Sequence, residues 1–240
     1  MSSEGIAAAG PGKILRRQTR RHRRRRRLLG IAAIVAALLV LTWVVVYSPL
    51  LVSRQVLVKG SQLADQQQIL DAAQVPMGVP LAQLDTRAIA GRVSALPAIA
   101  VAKVSPAWPS SVEIQVTDRS IAYQRPDGNQ YQWIDAHGVI FHSSPDRQQV
   151  PVADLPSTQD QQLLADVATV VTALPPDVRG RVQSLQASSP HNILVVLDRQ
   201  QSIFWGSADQ SDLKASLLSV LLAQPGNVID VSSPSHPAIK

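Results

Sequence analysis

Asp135, His137 and His142 are the residues whose types and spacing come closest to a chemical site. Imidazole and carboxylate groups can share a divalent metal ion or act as an acid/base pair. Asp135 opens an Asp-Ala-His-Gly sequence that is typical of a turn, whereas His142 falls on a different local element. We therefore interpret all three as turn or surface residues and predict no metal site, no cofactor and no catalytic residue.

Other enzyme signatures are missing from the sequence. It contains no Gly-x-Ser-x-Gly, Gly-x-Gly-x-x-Gly, P-loop or His-Glu-x-x-His motif. Trp108 and Trp205 could bind a ligand through their rings, but such residues more often fill a core or wedge between elements. We predict that the protein is not an enzyme. A signal-anchored envelope enzyme, such as a cell-wall hydrolase, stays as the alternative and requires a convergent, buried set of titratable residues.

A run of arginines from Arg16 to Arg27 dominates the charge of the chain. Ten of the 23 Lys and Arg residues precede residue 28, where the only acidic residue is Glu4. The net charge of +6 therefore does not describe the part of the chain after residue 27. Clustered guanidinium groups can bind phosphates of nucleic acids. No aromatic residue is interleaved with this run, and it abuts an apolar segment, which favours contact with anionic inner-membrane lipids and predicts no nucleic-acid partner.

The segment Leu28–Tyr47 has twenty residues without a charge, enough for a helix to span the ~30 Å hydrocarbon core. The arginines before it predict a cytoplasmic N-terminus, and Trp43 and Tyr47 fall near the opposite interface. The stretch is longer than the apolar region of a signal peptide and no small-x-small cleavage pattern follows it, which favours an uncleaved, single-pass type II anchor. The chain has no cysteine, so disulfides and thiol chemistry are excluded.

Apolar periodicity predicts a β-α-α-β-β unit after the apolar segment. Alternating residues predict three strands, and the two segments between the first and second strands have helical spacing. Pro106–Pro109 should break the chain between the last two strands, and both helices should cover one face of the sheet. The predicted bounds are strands 54–59, 99–104 and 111–117 and helices 65–73 and 86–96.

The part of the sequence that follows this unit predicts a mixed sheet with two helices. Asp127-Gly128 separates two strand-like runs and is typical of a hairpin turn, whereas 145–158 is polar and interrupted by proline, which indicates a loop. The predicted strands are 121–125, 131–134, 182–187, 193–197, 202–205 and 228–231, and residues 135–141 form a turn and a strand. The predicted helices are 161–174 and 209–222, and residues from Ser232 onward form a polar end.

The order of these motifs resembles the FtsQ/DivIB family of bacterial cell-division proteins. Val56-x-Val58-x-Gly60 and Trp108-Pro109-x-x-Val112-x-Ile114-x-Val116-x-Asp118-Arg119 resemble its POTRA domain. Asp118 replaces the usual Glu, and Ser105 or Pro106 stands where a basic residue is common. Asp135-x-x-Gly138-x-x-Phe141 resembles a segment of its second, β domain. The predicted fold class is α+β: a single-pass membrane helix, a POTRA-like β-α-α-β-β domain and a second mixed β domain with two helices. The predicted domains are a basic tail 1–27, a transmembrane helix 28–48, a POTRA-like domain 53–120, a β domain 121–233 and a flexible C-terminus 234–240.

The resemblance implies a non-catalytic scaffold of the division machinery, or divisome. Such a protein would link FtsB/DivIC-like and FtsL-like membrane proteins at the division septum, with most of its chain outside the cytoplasm and no small-molecule substrate. The family's partner contact maps to the last predicted strand, which would be a sheet edge able to accept a partner strand. The predicted contact residues are Val228, Ile229, Asp230, Val231, Ser232 and Ser233.

Overall fold

The computed structural model describes residues 28–40, 42–44, 51–156 and 160–240 of the chain. Residues 28–40 and 42–44 are helical, and ten of their large apolar side chains are 42–69% exposed. Within the described ranges, no helix is both long and apolar enough to cross a membrane. The predicted basic tail 1–27, and residues 41 and 45–48 of the predicted transmembrane segment, lie outside the described residues.

A β-α-α-β-β unit follows, as the periodicity predicts. Its three strands form one sheet in the order β1-β3-β2, and a short 3₁₀ turn, Leu81–Gln83, precedes the second helix. The elements are β1 (Gln55–Lys59), α1 (Gln66–Ala73), α2 (Thr86–Ser94), β2 (Ile99–Ala107) and β3 (Ser111–Asp118).

Helices α1 and α2 pack together through buried apolar residues and one arginine. Ile69 and Ile89 are 0% and 2% exposed. Helix α1 ends where Gln74 adopts a left-handed conformation with φ of 45°, and Arg92 of α2 donates from Nε and Nη2 to the carbonyl of Ala73 at 3.1 and 2.6 Å. A cation at the last carbonyls of a helix is favourable because these groups lack intrahelical partners.

The motif residues Gly60 and Asp118 hold the turn after β1 against β3. The Oδ2 of Asp118 accepts hydrogen bonds from the backbone N–H groups of Gln62 and Leu63 at 2.6 and 3.0 Å. Gly60 has a φ of +95°, and a Cβ there would collide with the carbonyl oxygen of Val116. Asp in place of Glu at 118 therefore suits this turn, because its short side chain reaches both N–H groups.

The predicted break at Pro106–Pro109 begins too early, because β2 continues through Pro106 to Ala107. In the order β1-β3-β2, β2 lies at the edge of the three-stranded sheet. A proline lacks an N–H group, so it is tolerated where one side of a strand has no neighbour.

The described residues after β3 form a nine-stranded sheet and three helices. The sheet has the order β12-β11-β10-β9-β8-β7-β4-β5-β6. Its strands are β4 (Tyr123–Asp127), β5 (Gln130–Ile134), β6 (Ile140–Ser144), β7 (Val152–Asp154), β8 (Val182–Ser189), β9 (Asn192–Leu197), β10 (Ser202–Gly206), β11 (Val228–Asp230) and β12 (Ala238–Ile239). The helices are α3 (Gln161–Ala173), α4 (Pro176–Arg179) and α5 (Ser211–Leu221).

Alternate residues of the central strands form the core with α3 and α5. The inward side chains of β8, β9 and β10 are almost fully buried, and each large apolar side chain buried in this way contributes about 1.5–3 kcal/mol. The core includes Leu185, Val195, Ile203 and Trp205 from the strands, Leu164, Val167 and Val171 from α3, and Leu218 from α5. The α+β class is confirmed.

Three elements of this region differ from the prediction. Strand β7 lies within the predicted loop 145–158, with Ala153 fully buried between β4 and β8. Helix α4 begins at Pro176, where the missing N–H group has no cost because the first turn of a helix lacks acceptors. Strand β12 lies in the predicted flexible C-terminus. Each element has two to four residues, which is too short for a periodic pattern.

Two compact units are distinguished in the chain. One contains the described residues up to Leu57 with Val75–Asp85 and Ser105–Glu113, and the other contains Val58–Gln74, Thr86–Val104 and the described part of Ile114–Lys240. The predicted domain boundaries stay a prediction.

Gly138 provides a test of packing in the second unit. It has a φ of +78°, and an added Cβ would lie 2.6 Å from the Cα of Ala165 in α3. Strain and overpacking together predict that Gly138→Ala lowers the free energy of unfolding by about 2–5 kcal/mol, measured by urea denaturation. Gly128→Ala is the matched control: φ is +58° with nothing within 4 Å, so strain alone predicts about 1–2 kcal/mol. Equal losses would contradict the contact with α3.

Candidate interaction edge of the larger sheet

Strand β11 is the second strand from one edge of the larger sheet. It runs parallel to β10, with Ile203 opposite Ile229, and antiparallel to β12, with Ile229 opposite Ile239. The prediction that Val228–Val231 forms the edge is therefore wrong, because β12 covers the outer side of β11. Within the described residues, β12 is the outermost strand at this end.

Backbone hydrogen bonds fix β12 onto β11. Lys240 donates its N–H to the carbonyl of Val228 at 2.9 Å, and its own carbonyl accepts from the N–H groups of Val228 and Asn227 at 3.0 and 2.9 Å. Inward and outward backbone groups alternate along a strand. Since Lys240 faces β11, the N–H and C=O of Ile239 face away from the sheet and form its open edge.

The six predicted contact residues divide into a buried and an accessible set. The side chains of Ile229 and Val231 are 1% and 0% exposed and belong to the core, because β11 packs beneath the helices. Val228 is 39% exposed, Asp230 is half-buried, and Ser232 and Ser233 are exposed. Charged substitutions at Ile229 and Val231 would therefore test folding and not partner binding. Contact by the accessible residues stays a prediction.

A tight turn follows β11 and exposes the two serines. The Oδ1 of Asp230 accepts hydrogen bonds from the N–H and the hydroxyl of Ser232 at 3.0 and 2.7 Å. Gly206 at the end of β10 has a φ of +74°, and a Cβ there would lie 2.8 Å from the Cβ of Ser232. The close approach of these two backbones directs the chain from β11 toward β12.

A buried lysine orders the neighbouring end of β10. Lys214 of α5 is 1% exposed, and its Nζ donates to the carbonyls of Trp205 and Ser207 at 3.0 and 2.7 Å. Burial lowers the pKa of this ammonium group, and the nearby carboxylate of Asp209 opposes that effect. The ring N–H of Trp205 donates to Ser211 at 3.1 Å. These bonds join α5 to the strand that supports β11.

Sequence reasoning missed the residues that build the actual edge, which are Gly226, Ala238, Ile239 and Lys240. A Cβ at Gly226, where φ is +149°, would collide with the Cγ2 of Ile239. The glycine therefore provides the space in which Ile239 packs. A strand of two residues shows no alternation of apolar and polar positions, so the sequence of β12 does not predict it. The only signal was Gly226, because a glycine before the last predicted strand indicates a backbone position with a positive φ.

Asp135 is a buried carboxylate whose two oxygens are both hydrogen-bonded within the fold. Its Oδ2 accepts from Nη1 of Arg119 at 2.5 Å, and its Oδ1 accepts from the N–H groups of His137 and Val139 at 2.9 and 2.8 Å. Burial raises the pKa of Asp135, but the Val139 N–H, the Arg119 guanidinium and the His137 N–H together outweigh it and hold the pKa below its usual value.

The two histidines that follow Asp135 in the sequence have different surroundings. The His137 side chain is 84% exposed, with Nδ1 3.8 Å from Oδ2 of Asp135. The ring of His142 instead tilts over Trp133, with ring centres 4.5 Å apart. In the described parts of the chain, no three His, Asp or Glu residues are grouped so that they could hold a metal ion.

Comparison with known families matches both halves of the chain. Residues 52–119 match the model described as POTRA domain, FtsQ-type, and residues 122–232 match the model described as cell division protein FtsQ/DivIB, C-terminal. Together the two matches cover most of the chain in the order that the motifs predict.

Two mycobacterial relatives are similar over most of the chain. It is 35% identical over 198 residues to the cell division protein FtsQ of Mycobacteroides abscessus, covering 81% of this chain and 63% of that protein. It is 36% identical over 214 residues to the FtsQ of Mycolicibacterium smegmatis, covering 87% and 63%. The chain thus spans less than two thirds of the length of these relatives.

A solved structure shows only a weak likeness. The major extracytoplasmic domain of the cell division protein DivIB from Geobacillus stearothermophilus aligns with 45% of this chain and 99% of its own, with a TM-score of 0.34 and 12% identity.

Gly226→Ala tests whether β12 depends on the glycine. The added methyl group should displace Ile239 and loosen β12, so amide exchange of Lys240 and Val228 should accelerate at least tenfold, measured by hydrogen–deuterium exchange. Gly78→Ala is the control, since Gly78 also has a positive φ, +76°, with nothing within 4 Å. Unchanged protection of Lys240 in Gly226→Ala would contradict the packing of Ile239 on Gly226.

Asp135 should contribute stability that depends on pH. Its folded-state pKa lies below the unfolded value of about 3.9, so the contribution is complete above about pH 4 and is lost as the pH falls through the folded-state pKa. Asp135→Asn should cost about 1.5–3 kcal/mol at pH 7, since it loses a hydrogen bond between charged groups.

Urea titrations across this pH range give the free energy of unfolding of the wild type and of Asp135→Asn. The difference between these two free energies should become smaller below pH 4. Asp146→Asn, at an exposed position, is the control and should show no such narrowing. A difference that stays constant with pH would contradict the ionised Asp135.

Proposed function

The chain belongs to the FtsQ/DivIB family of cell-division proteins, and on this premise we propose that it is a non-catalytic, membrane-anchored scaffold of the divisome. In this role it links FtsB/DivIC-like and FtsL-like membrane proteins at the division septum through its extracytoplasmic domains. Its contribution is to hold partners in place, and no turnover is required.

Anchoring in the bacterial inner membrane is supported by the charge and exposure of the N-terminal region. The helical residues 28–40 and 42–44 present leucine, isoleucine, valine and tryptophan side chains to their surroundings on all sides. A helix that is apolar all round is stable only where those side chains leave water. Arg16–Arg27 precedes it, which favours a single-pass helix with a cytoplasmic N-terminus and contact with anionic lipids.

The observation that carries the scaffold proposal is the open backbone edge of β12. The outward N–H and C=O of Ile239 can pair with an extended segment of a partner, which is the usual way in which a sheet edge binds another chain. Beside this edge lie the accessible residues of the predicted contact, Val228, Ser232 and Ser233. The partner strand therefore adds to β12, and the predicted residues supply side-chain contacts next to it.

The arrangement of Asp135 favours a scaffold over the alternative envelope hydrolase. A cell-wall hydrolase that cleaves glycosidic bonds typically uses a pair of carboxyl groups whose oxygens can reach the substrate. Both oxygens of Asp135 are engaged by Arg119 and by backbone N–H groups, so this buried carboxylate is committed to the fold.

Shared anchoring increases the strength of weak contacts. Proteins confined to one membrane meet at a high effective concentration, so a short strand pairing that would be weak in solution is sufficient. A two-residue edge strand such as β12 is compatible with this mode of binding.

The test measures binding of the full chain in nanodiscs to the ectodomain of the FtsB/DivIC-type protein from the same bacterium. Truncation after Pro237 removes β12 but leaves β11 and its core residues, and it should weaken binding at least tenfold. Val220→Lys on α5 is the control, because Val220 is 63% exposed on another surface, and its affinity should stay within twofold.

The truncated chain has two other informative outcomes. Unchanged affinity would contradict strand addition at this edge. Tighter binding would show that the partner pairs with β11 itself after displacing β12.

A further inference from the structure

Two apolar turns stand side by side in the first compact unit. Residues 76–81 read PMGVPL. Residues 106–110, which are the last two residues of β2 and the turn after it, read PAWPS, so neither segment contains a charged residue. Met77 is 59% exposed and Trp108 is 52% exposed, although both side chains are large and apolar. We name these two turns together the proline-rich tip.

The segment that enters the unit runs between the two turns. Ser53 donates its N–H to the carbonyl of Val79 at 2.9 Å and accepts from the N–H of Gly78 at 2.9 Å. The next residue, Arg54, donates its N–H to the carbonyl of Ser110 at 2.8 Å on the opposite side. Since paired backbones lie about 4.8 Å apart, the two turns are separated by roughly 10 Å.

This segment starts only a few residues after the apolar stretch. Leu51 accepts a hydrogen bond from the N–H of Leu81 at 2.9 Å and lies four positions beyond Tyr47. Four residues reach at most about 14 Å, and each interfacial layer of a bilayer is roughly 6 Å thick. A bilayer that contains the apolar stretch therefore lies within reach of the turn to which Leu51 is bonded.

We propose that the proline-rich tip rests in the lipid headgroup layer and forms a second membrane contact, and this rests on the proposed membrane anchoring. Trp108 supplies the amphipathic ring that favours this layer, and Met77 supplies a flexible apolar side chain beside it. The exposed Arg54 lies between the two turns, where its guanidinium faces lipid phosphates.

Leu213 is an exposed apolar residue whose surroundings differ from those of the tip. Leu213 of α5 is 51% exposed, close to Met77 in this respect, but Asp212 directly precedes it and Asp209 lies four residues before it in the sequence. Carboxylates are repelled by an anionic leaflet, whereas the turns of the tip carry none. The tip contact fixes the unit against the bilayer surface and restricts the directions in which the rest of the chain can extend.

The absence of cysteine from the sequence allows a direct test with single-cysteine variants. Met77→Cys, Leu213→Cys and Ile34→Cys of the full chain are each labelled with one fluorophore and reconstituted in vesicles of phosphatidylglycerol and phosphatidylethanolamine. Lipids carrying a nitroxide at the headgroup or deep in the acyl chain then quench the fluorescence. The label at residue 77 should be quenched at least threefold more by headgroup nitroxides than the label at residue 213.

The outcomes separate this inference from the anchoring itself. Quenching at residue 34 by acyl-chain nitroxides, together with equal quenching at residues 77 and 213, would overturn the tip contact and leave the anchor intact. If the label at residue 34 is not quenched, the anchor is overturned. If the label at residue 77 is not quenched by headgroup nitroxides either, the tip contact is overturned as well. Headgroup quenching at residue 77 alone would establish the tip as a lipid contact in its own right.

Trp108→Ser in the Met77→Cys background tests the role of the ring. Trp108 is half exposed, so its replacement should leave the fold intact, which near-ultraviolet circular dichroism checks through the buried Trp205. Headgroup quenching at residue 77 should fall at least twofold. Undiminished quenching would overturn the assignment of Trp108 to the bilayer interface.

Discussion

The buried carboxylate of Asp135 is the contact on which several distant segments depend. Its partner Arg119 follows β3 and also donates from Nε to the carbonyl of Pro97 at 2.9 Å, just before β2. On the other side, the turn that Asp135 opens brings Gly138 against α3, where Gln161 donates to the carbonyl of Gly138 at 3.0 Å. A single charged group thus joins two loops and a helix. Because it is desolvated, any partner removed from it leaves an unsatisfied charge, and this makes the junction cooperative.

The β12 end of the larger sheet is held less firmly than its central strands. The central strands bury their inward side chains under α3 and α5, and Lys214 joins α5 to β10 through backbone carbonyls. At the end, β12 has two residues and depends on three hydrogen bonds through Lys240 and on the space left by Gly226. A short edge limits unspecific pairing with other chains while leaving backbone groups for a chosen partner. This combination suits the proposed role as a scaffold.

A scaffold benefits from restricted orientation as well as from high local concentration. Anchoring by one helix fixes the distance of a domain from the bilayer but leaves it free to rotate and tilt. A second contact through Met77 and Trp108 would remove much of that freedom before a partner binds. The orientational entropy of the domain would then be lost when the protein is anchored, before a partner binds. Binding would cost less entropy, and the affinity of the edge for a partner in the same membrane would be higher.

The sequence by itself determined the family, the α+β class and most elements of both sheets. Helices such as Gln161–Ala173 and strands such as Ser111–Asp118 bury one face, so their periodicity is visible in the residues. The same local patterns indicated the Asp127-Gly128 hairpin, and the Arg-rich and apolar segments predicted the proposed anchor.

Only the tertiary structure decided the strand order and therefore the edge. Strand β7 is ordered by neighbours that are distant in sequence and β12 by the preceding strand β11, and their two or three residues cannot express a period. Ile229 and Val231 are apolar in either arrangement, so their composition could not distinguish an exposed edge from a covered strand. The collision that Gly226 avoids and the partners that Asp135 binds likewise depend on residues brought together by folding. Long-range pairing is set by the packing of the whole sheet, which a local sequence window does not contain.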